Sequence, residues 1–298
     1  MLWSLCYRLT GVAADADEIL QEAFTRALER QPSGGARPWQ PWLVRVATNL
    51  CLDLLRARKR HTGSSCWLPS PVETREPDEL SEALSHTTEG PETRYALLED
   101  ASFAYLLALE ALAPRARAAL LLRDLLGYSA DEAARVLRTS VVNLRVLHHR
   151  ARRTLEAAGR PSRQPSKPAR ERTRRALEEF MGCLVRQDAV GLESLLSKSV
   201  KTIADGGSEF TALHRPLAGR QPVARFHLRT AKRRMPGSRF EIRWVNGMPA
   251  AVIETPNPAR RQGPRVVLRC ELDRSGRIAE IHSVLDPRKL TAVRFDLL

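Results

Sequence analysis

The sequence predicts a multidomain protein in which two all-α modules precede a smaller α+β domain. Three observations lead there. Apolar residues recur at helical spacing over residues 1–60 and again over 94–158. Between them, Pro69, Pro71, Pro77 and Pro91 stand among Ser, Thr and Glu with no periodicity, the mark of a linker without a core of its own. Beyond a second linker the pattern turns into strand-like runs, punctuated by the hairpin signal Asn246-Gly247. The expected boundaries are 1–60, a linker over 61–93, 94–158, a linker over 159–170, and 171–298.

The first module reads as three helices. Leu2, Leu5, Cys6 and Leu9 form an apolar stripe that Gly11 stops. Asp15 with Glu18 suggests a capping box, followed by Ile19, Leu20, Ala23, Phe24, Ala27 and Leu28 as one face. Pro41 suits the first turn of a third helix, whose inward residues are Leu43, Val46, Ala47, Leu50, Leu54 and Leu55. That helix ends in the cations Arg56, Arg58, Lys59 and Arg60.

The second module holds a helix-turn-helix. Ser129 and Glu132 have the spacing of a reciprocal capping box, so a short helix starts there and packs through Ala133, Ala134, Val136 and Leu137. Arg138-Thr139-Ser140 breaks it, and Ser140 caps the next helix. Val141, Leu144, Leu147, Ala151 and Leu155 are its buried stripe; Asn143, Arg145, His149, Arg150 and Arg153 lie opposite. Amide and guanidinium groups there can hydrogen-bond base edges and neutralise phosphates.

In the last domain, one helix carries Ala176, Leu177, Phe180, Cys183 and Leu184, and a shorter one follows Asp188. Strands are expected at 240–245, 250–255, 265–272 and 278–285, with a second turn at Ser275-Gly276. Helices ahead of an antiparallel meander imply helices packed on one face of a curved sheet.

A net charge of +14 and a pI near 10.4 favour a polyanionic partner: DNA, RNA or an anionic membrane. No apolar run is long enough to span a bilayer, and Met1 to Val12 lacks the cleavage site of a signal peptide. Cys6, Cys51, Cys66, Cys183 and Cys270 are scattered with no C-x-x-C pair, which points to buried thiols in a reducing, cytoplasmic setting rather than a disulfide frame or a zinc site, and no cofactor is expected.

Three segments, Leu5-Cys6-Tyr7-Arg8-Leu9-Thr10-Gly11, Asp15 to Phe24 and Trp42 to Asp53, resemble conserved region 2 of bacterial RNA polymerase sigma factors. The helix-turn-helix, led by Leu125-Leu126-Gly127-Tyr128-Ser129 and closed by His148-His149-Arg150-Ala151-Arg152, resembles region 4. With no region 3 between them, the chain looks like the extracytoplasmic-function (ECF) group of the sigma-70 family. The resemblance implies a non-enzymatic initiation factor whose partners are core RNA polymerase and promoter DNA. Asp17, Gln21 and Phe24 would dock on the clamp helices of the polymerase β′ subunit, though Phe24 equally fits a core position. Arg45, Thr48, Asn49, Arg56, Arg58, Lys59 and Arg60 would engage the minus-ten element. Ser140, Asn143, Arg145, His148, His149, Arg150 and Arg153 would meet the minus-35 element. Asn143 and Arg145 are the base-edge candidates, Arg150 and Arg153 the phosphate grips, and His148 and His149 suit either role or packing. Relatives begin a helical turn or more upstream of Leu5, whereas Met1 here stands inside that element.

The C-terminal domain resembles the cone-shaped SnoaL-like α+β fold carried by one sigma-factor subgroup. Trp67-Leu68-Pro69-Ser70-Pro71 resembles its W-L-P-x-P linker motif. Asp205-Gly206-Gly207 resembles the start of D-G-G-G-K, and Asp286-Pro287-Arg288-Lys289-Leu290 resembles N-P-D-K-L. The resemblance implies regulation in cis through these motifs, with no separate anti-sigma factor required and room for an unidentified small-molecule ligand in the cone. Two rival classes are a ligand-responsive helix-turn-helix regulator and a SnoaL-like enzyme using His227, His282 or Asp205; no pair of these has a spacing that fixes acid–base geometry.

Overall fold

A computed structural model of the chain describes residues 1–29, 39–61, 66–76, 102–157, 165–234 and 236–297, with side chains of the third helix described as far as Arg58. The chain forms two compact units, residues 1–62 with 83–163, and residues 63–82 with 164–298.

In the first unit, α1 (Leu2–Thr10) ends at Gly11, whose left-handed φ of 69° lets its N–H reach Tyr7 O. It packs with α2 (Ala13–Glu29) and α3 (Trp39–His61) around Leu5, Leu9, Ala16, Ile19, Ala23, Val44, Ala47, Cys51 and Leu55. The expected Asp15 cap is corrected: α2 starts at Ala13, so Asp15 falls in its first turn, buried and paired with Arg58. There the helix dipole and a guanidinium both compensate the carboxylate. The expected apolar face of α2 is narrower than its sequence suggests, because Phe24 and Leu28 are exposed while Ala23 and Ala27 are buried.

The helices α4 (Phe103–Glu110) and α5 (Pro114–Leu120) follow, and α5 runs into a π-helical turn over Leu121–Leu125. The helix-turn-helix is α6 (Ala130–Val136) and α7 (Val141–Ala157). Arg117 of α5 is buried and donates to Glu110 Oε1 at 2.5 Å and to Leu9 O at 2.6 Å, so the two helical modules share one unit.

In the second unit, α8 (Lys167–Arg186) and α9 (Ala189–Leu195) precede β1 (Leu196–Asp205), and Asp188 caps α9 by accepting from Gly191 N at 2.8 Å. β2 (Leu217–Ala218) and α10 (Arg220–Arg234) lead to β3 (Arg239–Val245), β4 (Met248–Glu254), β5 (Arg265–Leu272) and β6 (Ile278–Val284). The sheet order is β2-β1-β6-β5-β4-β3. Strands β3 to β6 form the expected antiparallel meander, but β1 adds parallel to β6, which makes the sheet mixed. Asn246 and Gly247 take φ of 50° and 71°, the paired left-handed conformations of a tight hairpin. The core lies between the sheet and the helices, around Leu177, Phe180, Met181, Leu184, Val200, Val223, Ala251, Leu268 and Ile281.

Sequence reading passed over β1 and α10. β1 is rich in Lys, Ser and Thr, and its register shifts between Leu196 and Lys201, which blurs the alternation. α10 is so basic that its spaced inward set, Val223, His227 and Ala231, is easily missed.

Candidate functional site

The outward surface of the helix-turn-helix is built by local hydrogen bonds. Ser129 Oγ accepts from Glu132 N at 3.2 Å while Ser129 N donates to Glu132 Oε2 at 2.7 Å, the reciprocal box read from sequence. Those bonds outweigh the slight desolvation of Glu132 and hold its carboxyl below the usual range. Ser140 Oγ accepts from Asn143 N at 3.1 Å and starts α7. Leu144 and Ala151 are buried, whereas Ser140, Asn143, Arg145, His149, Arg150 and Arg153 are exposed. Asn143 Nδ2 donates to Thr139 Oγ1 at 2.7 Å, which fixes its amide. Asp124, in the π turn, sits between His148 Nε2 at 2.7 Å and Arg152 Nε at 2.9 Å. Burial pushes the Asp124 carboxyl up, but the bonds from Arg152 and His148 win and hold it low. This pair braces α7 from behind and takes His148 into the packing.

On the first module, Asp17, Gln21 and Phe24 share the exposed side of α2, and Trp3 Nε1 donates to Asp17 Oδ1 at 2.7 Å. Phe24 is 48% exposed and not a core residue. On α3, Arg45 and Arg56 are exposed, and Asn49 Nδ2 donates to Arg45 O at 2.8 Å. Two minus-ten candidates lie inward in this unit. Thr48 is 0% exposed in this compact unit, so its hydroxyl is not presented at the surface there. Arg58 is taken up by Asp15 and by Thr10 O, to which it donates at 2.9 Å, so it holds the helices together instead of facing outward. The side chains of Lys59 and Arg60 lie outside the described residues.

The three motifs of the linker and C-terminal domain meet in one place. Asp205, at the end of β1, accepts at Oδ2 from Lys289 Nζ at 2.5 Å and from Leu68 N at 2.8 Å. Its Oδ1 accepts from Gly207 N at 3.0 Å, and its carbonyl accepts from Leu285 N at 2.7 Å. Lys289 Nζ also donates to Leu68 O at 2.7 Å and lies 4.5 Å from the Trp67 ring centroid. Leu68, Pro69 and Leu290 are buried here, while Pro287 is exposed in the turn. Gly206 is required because a Cβ would fall 2.5 Å from Phe210 O. Gly207, at φ 58°, brings the same turn against Asp286, where a Cβ would lie 2.7 Å from Cγ. Asp286 Oδ1 in turn accepts from Arg288 N at 3.0 Å and shapes the loop that carries Lys289.

A second hold on the linker was not read from sequence. Asn246 N donates to Val72 O at 2.8 Å, and Val72 N donates to Asn246 Oδ1 at 3.1 Å. Thr74 N donates to Trp244 O at 2.9 Å, Glu73 N donates to Ala292 O at 2.9 Å, and Arg294 pairs with Glu73. Residues 72–74 thus extend along the β3–β4 hairpin, so the linker part described is ordered against this domain and does not hang free. The hairpin dipeptide was legible, but its use as a receptor was not, since nothing local marks Val72 as its ligand.

The acid–base candidates are placed as follows. Asp205 is committed to Lys289 and Leu68. His227 is fully enclosed, its Nε2 lies 3.0 Å from Thr202 Oγ1, and burial pushes its pKa down to about 4. His282 is buried with Nε2 3.3 Å from Glu280 Oε2. Cys66 is half-buried, and the other four cysteines are buried; burial raises the Cys270 thiol to about 12. Among the described residues no helix is long and apolar enough to cross a membrane.

Residues 1–61 match the family described as Sigma-70 region 2, and residues 102–155 match Sigma-70, region 4. Over 297 residues the chain is 31% identical to the ECF RNA polymerase sigma factor SigJ of Mycobacterium tuberculosis, covering 97% of this chain and 90% of that protein. The crystal structure of the Mycobacterium tuberculosis extracytoplasmic function sigma factor SigJ aligns with a TM-score of 0.68 at 27% identity, over 99% of this chain and 96% of that one. The ECF RNA polymerase sigma factor SigG of the same organism is 38% identical over 168 residues, 53% of this chain and 45% of that protein. Two helical modules of the expected kind, in the expected order, and a relative matched along nearly the whole chain place this protein in the family of ECF RNA polymerase sigma factors.

Proposed function

We propose that the α+β domain regulates in cis the promoter-specific initiation that this sigma factor directs with core RNA polymerase. The observation that carries this reading is the capture of Trp67 and Leu68 by the Asp205–Lys289 pair. The segment between the two helical modules is thereby tied to a third domain. A second feature supports it: Arg117 joins α5 to α1, so the modules form one compact unit. Elements centred on positions −35 and −10 lie roughly 85 Å apart along the duplex at the 3.4 Å rise of B-DNA. A compact unit of about 140 residues has a radius of gyration of only ~14 Å. Promoter engagement therefore requires the modules to part, and a domain that holds their linker biases that equilibrium.

On this reading Asp17, Gln21 and Phe24 meet the polymerase clamp helices, and Arg45, Asn49 and Arg56 meet the minus-ten element. Ser140, Asn143, Arg145, His149, Arg150 and Arg153 face the minus-35 duplex, and no separate anti-sigma factor is needed. The test is reconstitution with purified core enzyme. The full chain should bind duplex weakly alone and initiate specifically once core is added, and Asp205→Asn should change the initiation rate. Tight duplex binding without any dependence on core would favour a conventional helix-turn-helix regulator. An unchanged rate in Asp205→Asn would remove regulation through the linker.

A further inference from the structure

Two valines occupy the centre of the outward face of α7. At about 100° per residue, the line opposite buried Leu144 and Ala151 runs through Val142, Val146, His149 and Arg153. Val142 is 71% exposed and Val146 40%, and they lie one turn apart in the N-terminal half of the helix. Asn143 and Arg145 flank this line on either side. One amide proton of Asn143 is already committed to Thr139.

Single exposed valines are ordinary, and neither of these two belongs to the buried core. Alanine would favour the helix more, since a β-branched side chain loses rotamer freedom there. Their position, framed by cations at the end of a recognition helix that enters the groove first, asks for an apolar feature on the base edges. The major groove offers one: the C5-methyl group of thymine. We infer that Val142 and Val146 read the thymine methyl groups of the minus-35 element. The inference rests on the reading of α7 as the minus-35 helix, and it makes specificity at those positions a matter of methyl packing, with Arg145 and Asn143 acting beside it.

The experiment uses holoenzyme made from core polymerase and the full chain. Minus-35 sequences are first selected from a promoter pool randomised there. Each thymine of the selected element, on either strand, is then replaced by deoxyuridine, which removes the methyl and keeps the base pair. Loss of one methyl contact should lower initiation at limiting holoenzyme about three- to fivefold at one or two positions. Val142→Ala or Val146→Ala should give a similar loss on the thymine promoter and no further loss on the matching deoxyuridine promoter. Both variants should be at least as stable as the parent, because neither side chain is buried and alanine favours the helix. Deoxyuridine without effect at every position, losses that simply multiply, or a selected element made of G·C pairs alone would overturn the inference. In those cases a persisting dependence on minus-35 sequence leaves α7 as the reading helix. Initiation indifferent to that sequence would remove both.

Discussion

Lys289 Nζ lies 2.5 Å from Asp205 Oδ2, and the two side chains are only 5% and 6% exposed. The pair closes the second unit across 84 residues of sequence, and both members also hold the backbone of Leu68, one through its N–H and the other through its carbonyl. A buried ion pair that also satisfies a peptide group on a separate segment works as a clasp. Its Coulomb attraction is offset by desolvation, so its value lies in deciding which peptide is held.

Asp205→Asn should therefore destabilise the second unit by about 3–5 kcal/mol, because it removes the carboxylate charge that the buried Lys289 ammonium faces. Chemical denaturation followed by tryptophan fluorescence measures this. Burial, and after it the Asp205 charge, raise the Cys66 thiol. The same variant should thus quicken alkylation of Cys66 near pH 8. An unaltered rate would show that neither the Asp205 charge nor the seating of the linker governs that thiol.

Asn246 has two jobs, which two substitutions separate. Asn246→Gly keeps the left-handed turn conformation and removes the acceptor for Val72 N. It should loosen residues 72–74, seen as faster amide exchange of Val72 and Thr74, while the β3–β4 ladder stays protected. Asn246→Ala adds a left-handed strain of about 1–2 kcal/mol and should also lower the unfolding midpoint.

His227 should make the second unit acid-sensitive. Its folded pKa of about 4 lies below the ordinary value of 6.5, so the unfolded chain binds the extra proton first. The contribution is fully present above about pH 6.5 and is lost as pH falls toward 4, on the order of 3 kcal/mol for a shift of this size. His227→Gln should flatten that part of the stability–pH curve. Parallel curves for parent and variant between pH 7 and 4 would contradict the assignment.

Loss of the box that starts α6 should weaken the reading surface indirectly. Ser129→Ala removes the acceptor for Glu132 N and should cost about 1 kcal/mol of stability in the first unit. Thermal unfolding reads it.

The exposed cations of α7 should set the salt dependence of promoter binding. Arg150→Ala or Arg153→Ala should each lower the slope of log affinity against log salt by about 0.9 if the side chain grips one phosphate. A variant with weaker binding and an unchanged slope would show contact with bases instead. Titrations of holoenzyme on promoter DNA at several salt concentrations separate the two.

The sequence by itself determined the helices of both modules, the Ser129–Glu132 box, the Asn246-Gly247 hairpin and strands β3 to β6. These features are short-range: a cap needs its partner three residues on, a tight hairpin needs two residues that tolerate positive φ, and a helix face repeats every three or four positions. It also supplied the motifs around Trp67, Asp205 and Lys289 through their likeness to a family. Tertiary structure alone decided what those residues touch. Arg58 reads as a free cation until α1 and α2 arrive beside it, and Thr48 as a surface donor until the helices close over it. Strand β1 joins β6 in parallel, and Leu68 finds Asp205 across 137 residues. Such pairings depend on which surfaces are buried together after distant chain segments close, and local pattern does not encode that choice.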